Sequence, residues 1–146
     1  MNFTDFTTLH GRKVNKEAFI HLVQISRTDK KVSKEELELL HREGRKFGLT
    51  DPEIDSLMHA QRGHHYVPPY SLDEKFEHLY QVAQMILADE VVKESELKMI
   101  RKFAIEAGFQ DKTIDKLVDL LFDGIKKEKS EDDLLHEFRK KHLFRD

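Results

Sequence analysis

The chain repeats itself at an offset of 60 residues: residues 29–57 align with residues 89–117 without a gap, and nine of the 29 pairs are identical. Ordinary composition would give about two. The identical pairs are Asp29/Asp89, Val32/Val92, Glu36/Glu96, Leu37/Leu97, Gly48/Gly108, Asp51/Asp111, Ile54/Ile114, Asp55/Asp115 and Leu57/Leu117. A sequence that reuses one pattern this closely must reuse one supersecondary unit, so the problem reduces to reading that unit.

Period and punctuation make the unit helical. After Asn15, Phe19, Leu22 and Val23 recur on one face. Ser33 with Glu36 forms a capping box that opens a second helix, whose apolar line is Leu37, Leu40 and Phe47 and which Gly48 ends. Asp51 is expected to cap a third helix with Pro52 at its first position, burying Ile54, Leu57 and Met58. The second copy repeats this order. Ser71 with Glu74 opens a helix apolar on two sides (Phe76, Leu79, Tyr80, Ala83, Ile86 and Leu87, with Val82 and Met85), which should be central. A fifth helix carries Leu97, Ile100 and Phe103 to Gly108, Asp111 caps a sixth, and Ser130 with Asp133 starts a short seventh.

The predicted fold is therefore all-α. About seven helices form one bundle from two three-helix units, residues 15–60 and 71–125, plus a C-terminal helix over 130–143. No segment alternates with period two, so no sheet is expected. Residues 61–70, with Gly63, Pro68 and Pro69, read as a surface linker. Each copy of about 45 residues is too small to cover its own apolar faces, so the two should share one core within a single domain spanning residues 1–146.

Composition excludes several functions. There is no cysteine, which removes disulfides, thiol catalysis and cysteine-ligated zinc and points to a reducing, cytoplasmic setting. A net charge of −3 with interspersed signs leaves no basic stripe for nucleic acid. No apolar run approaches the roughly 20 residues that span a bilayer, so no membrane contact is expected. No Gly-x-Ser-x-Gly or phosphate loop is present, and His136-Glu137 lacks the second zinc-protease histidine because Lys140 stands there. No enzyme is predicted, and Asp51/Asp55 and Asp111/Asp115 are read as first-turn charges.

The segments Thr28-Asp29-Lys30-Lys31-Val32-Ser33-Lys34-Glu35-Glu36 and Ala88-Asp89-Glu90-Val91-Val92-Lys93-Glu94-Ser95-Glu96 resemble the Ala-Asp-Gly-x-hydrophobic-x-x-x-Glu signature of the tellurite-resistance TerB family. That family is also similar to the N-terminal domain of a membrane-anchored J-domain co-chaperone. The resemblance covers about residues 15–125. It implies a cytoplasmic, non-enzymatic helical module whose acidic loops bind a divalent cation and which acts through a protein partner. The family's glycine is replaced here by Lys30 and Glu90.

Charge ranks the two segments as cation sites. Residues 29–36 hold three acids and three lysines, whereas residues 89–96 hold four acids and one lysine. A calcium- or magnesium-type ion is therefore expected at Asp89, Glu90, Glu94 and Glu96, with Asp29 and Glu36 the weaker pair. An EF-hand is excluded, because its earlier ligand positions fall on Ile25 and Arg27 or on Met85 and Leu87. The competing reading makes Glu36 and Glu96 third-position helix caps and leaves a structural bundle with no metal. His59, His64 and His65 in and beside the linker are read as solvated rather than as a zinc or nickel site. The apolar edge Leu134, Leu135, Phe138, His142 and Leu143, beside Arg139, Lys140 and Lys141, either closes the bundle or docks on a partner or an anionic surface.

Overall fold

A computed structural model describes residues 5–7, 13–26, 33–46, 48–88 and 91–141. Seven helices account for most of them: α1 Lys16–Ser26, α2 Lys34–Arg45, α3 Asp51–Ala60, α4 Leu72–Ile86, α5 Glu94–Glu106, α6 Asp111–Lys126 and α7 Glu131–Lys140. The expected all-α bundle is present. The expectation of no sheet is corrected, because β1 (Asp5–Thr7) and β2 (Lys13–Asn15) pair antiparallel, Phe6 opposite Val14. Three-residue strands are too short to display a period of two, and β2 runs directly into α1.

The caps follow hydrogen-bond accounting. Ser33 Oγ accepts from Glu36 N at 3.1 Å and Glu36 Oε1 from Ser33 N at 3.3 Å, closing the expected box. The cap of α3 is Thr50, not Asp51. Thr50 Oγ1 accepts from Glu53 N at 3.3 Å while Glu53 Oε1 accepts from Thr50 N at 2.9 Å, which puts Asp51 inside the first turn. Gln110 likewise precedes Asp111, without a side-chain cap. Ser71 and Ser130 cap α4 and α7 through Glu74 N and Asp133 N. Gly48 and Gly108 stop α2 and α5 at φ of 80° and 97°, where a β-carbon would be strained.

Helix α4 packs against α1, α5, α6 and α7, as its two apolar sides require. The buried apolar residues of both copies form one continuous cluster, from Phe19 and Leu22 on α1 through Phe76 and Leu79 on α4 to Phe103 on α5 and Leu121 on α6. Helix α7 closes it: Leu134 and Phe138 are fully buried, with the Phe138 ring 5.6 Å from Phe76 and 5.9 Å from Phe109. Full burial of one such side chain contributes about 1.5–3 kcal/mol. His142 and Leu143 lie outside the described residues, as does Phe47. Leu37 corrects the apolar line of α2, since it is 39% exposed while Leu39 and Leu40 face inward.

Candidate functional site

Glu96 is the third residue of α5, and its Oε1 accepts from the Lys93 backbone N–H at 2.8 Å, the capping role its position suggests. Its other oxygen points inward. The Glu96 side chain is fully buried, and Lys46 Nζ, at the end of α2, donates to its Oε2 at 2.6 Å. The same ammonium reaches Glu43 Oε1 at 3.0 Å, the Ile86 carbonyl at 2.9 Å and the Met85 carbonyl at 3.4 Å. Arg42 Nε stands 3.6 Å from Glu96 Oε1.

Electrostatics divides the labour within this cluster. Burial pushes the Glu43 carboxyl well above the usual carboxylate range, and hydrogen bonding to Glu96 raises it further against the pull of Lys46. Burial also acts to raise Glu96, but hydrogen bonds from Glu43, Lys46 and the Lys93 backbone outweigh it and hold Glu96 low. These opposite directions favour a proton on Glu43 and the negative charge on Glu96, facing the Lys46 ammonium. A buried pair persists only when its remaining polar atoms are satisfied, and the two carbonyls supply acceptors for Lys46.

The first copy makes a more exposed version of the Arg42–Glu96 contact. Glu36 Oε2 takes Lys102 Nζ at 3.4 Å, and both side chains are partly exposed. Positions 42 and 102, like 36 and 96, are 60 apart, so Arg42 with Glu96 and Lys102 with Glu36 are one contact made in both directions across α2 and α5. Reciprocal contacts of this kind define a twofold arrangement, as in a symmetric dimer. A groove of about 120 Å³ between α2 and α5 is lined by the equivalent residues Leu39 and Met99 and by Glu35 and Ser95, with Lys98 and Lys102 beside them.

The sequence-predicted cation residues are thus placed unequally. Asp89, Glu90 and Asp29 lie outside the described residues. Glu94 is exposed at the first position of α5, Glu96 is buried against Lys46, and Glu36 is held by Ser33 and Lys102. Among the described residues no three His, Asp or Glu side chains converge as metal ligands.

Two further clusters were not anticipated. His41 on α2 bridges α3, with Nδ1 2.8 Å from Asp51 Oδ1 and Nε2 2.8 Å from Asp55 Oδ1. Hydrogen bonding to Asp51, with that to Asp55, raises its pKa above the ordinary 6.5 against partial burial. Arg45 adds a second cation on Asp51 at 3.0 Å and 3.1 Å. In the second copy Arg101 and Asp115 make the equivalent contact at 2.9 Å. Here sequence supplied the signal, because positions 41 and 101 are both basic and 55 and 115 both acidic.

The other cluster pins the linker. Tyr66, within residues read as a surface segment, is buried, its hydroxyl 3.1 Å from His78 Nδ1 and its ring 4.8 Å from Phe103. His21 stacks on His78 at 4.3 Å, and burial together with His78 lowers its pKa to about 4. Burial lowers His78 as well, against Glu77, Glu17 and Glu74. Both imidazoles are therefore neutral packing groups at neutral pH. His59, His64 and His65 are exposed. Comparison with protein-family models, with curated proteins and with solved structures finds no match. Among the described residues no helix is long and apolar enough to cross a membrane.

Proposed function

We propose that this chain is a non-enzymatic helical module of the TerB-like kind, in which the acidic helix starts join the two copies and hold a fixed helical surface for a protein partner. The observation that carries this reading is the use made of Glu96: a buried carboxylate bonded to Lys46 and to the Lys93 backbone has its oxygens directed at protein donors. The neutral His21–His78–Tyr66 set fits the same reading. Its rings pack on one another and on Phe103, with the Tyr66 hydroxyl 3.1 Å from His78 Nδ1.

The test is a thermal melt of chelator-treated protein titrated with calcium, magnesium, manganese and zinc. A ligand at 100 times its Kd adds about 2.7 kcal/mol, several degrees for a chain of this size. A flat response is expected. A shift of several degrees that disappears in Asp89→Asn with Glu94→Gln would overturn the reading in favour of a cation-responsive module.

A further inference from the structure

The surroundings of Lys46 Nζ have the composition of a hard-cation site. Four oxygens converge on one point, two from carboxyl groups (Glu43, Glu96) and two from backbone carbonyls (Met85, Ile86), at 2.6–3.4 Å. The carbonyls are the last of α4, where the helix dipole also favours positive charge. Carboxylate and carbonyl oxygens are what calcium takes, yet its bonds are about 2.3–2.6 Å. The distances here are those of N–H···O hydrogen bonds, about 2.7–3.2 Å, with one longer and one shorter. The cage is dimensioned for an ammonium.

Both copies and three helices contribute to it. Glu43 and Lys46 come from α2, the carbonyls from α4 and Glu96 from α5, and Glu43 and Glu96 are buried to within 1%. A free ion entering would have to displace an ammonium held by its own chain at a very high effective concentration.

We infer that this cage is a cation site whose resident cation is the tethered ammonium of Lys46, so that a divalent ion can be held at Glu96 only after that ammonium is removed. The residues do not fit a metal in the native chain, and they would fit one in its absence. This holds whether or not the module has a protein partner. The two ideas also fail separately: ion binding through Asp89 and Glu94 in the native chain defeats the functional reading, and the following experiment addresses Lys46.

Lys46→Ala vacates the cage and leaves its oxygens in place. Its melting temperature should fall by several degrees and be partly restored by millimolar calcium or manganese, and the restoration should vanish in Lys46→Ala with Glu96→Gln. A folded Lys46→Ala protein that responds to neither ion overturns the inference. The native chain provides a measurement independent of any variant's folding. The Lys46 ammonium, observed through its ¹⁵Nζ resonance, should exchange its protons slowly and not move on addition of calcium. A fast-exchanging or calcium-shifted Lys46 signal also overturns the inference.

Discussion

His41 carries the clearest pH signature of any single residue. An imidazole that meets a carboxylate through each nitrogen can donate to both only when protonated, so its clasp between α2 and α3 is strongest as the cation. The folded pKa is raised above 6.5, so the folded chain binds this proton more tightly than the unfolded chain. The stabilisation is complete below pH 6.5 and is lost as pH rises through the folded pKa. Asp51 has the opposite sign: hydrogen bonding to His41, then to Arg45, depresses it, and its contribution fades as pH falls below its ordinary 3.8. Urea denaturation of the native chain should lose stability as pH rises above 6.5, and His41→Gln should flatten that decline. An unchanged slope in the variant would remove His41 from the explanation and leave Glu43, whose raised pKa has the same sign.

At the scale of elements, close helix approaches depend on missing side chains. Gly124, inside α6, lies against Leu134 of α7, where an added β-carbon would overlap the Leu134 side chain. Leu134 is fully buried within the core cluster. Alanine in a helix interior is worth about 1 kcal/mol over glycine, whereas overpacking costs about 1–3 kcal/mol. Gly124→Ala should therefore destabilise by up to about 2 kcal/mol in chemical denaturation, and a gain in stability would mean that α7 shifts freely. The elements themselves were legible in sequence, because Ser33, Ser71 and Ser130 caps and Gly48 and Gly108 stops act within a few residues of the chain. Asp51 was misplaced by one position because the Thr50–Glu53 box competes with an Asp-Pro pair for the same helix start. Tyr66 was not legible, since a linker shows its composition but not which ring the core will capture. The cage was half legible: Glu43 lies three residues beyond Leu40 on the buried side of α2, while its partner Glu96 is 53 positions away and only folding brings the two together.

For the whole molecule, one continuous core crossed by buried charges implies a single unfolding event. Neither copy can withdraw from the other without exposing the packed faces of α1 and α4 and leaving Glu96 or Lys46 alone in an apolar setting. The urea transitions followed by helical circular dichroism and by tyrosine fluorescence should coincide, and two separated midpoints would refute a shared core. The reciprocal contacts of α2 and α5 also bear on what kind of object this is. Were the halves two identical chains, every substitution would be made on both sides of the axis, and an ionic pocket on one side would force its twin on the other. Joining them lifts that obligation. Position 43 holds Glu43 inside the pocket of charges, while its counterpart is Phe103, packed on Tyr66 beside His21, and the counterpart of Lys46 is Glu106. The molecule thereby acquires an internal polarity that no symmetric pair could have, with buried charges at one end of its seam and buried rings at the other.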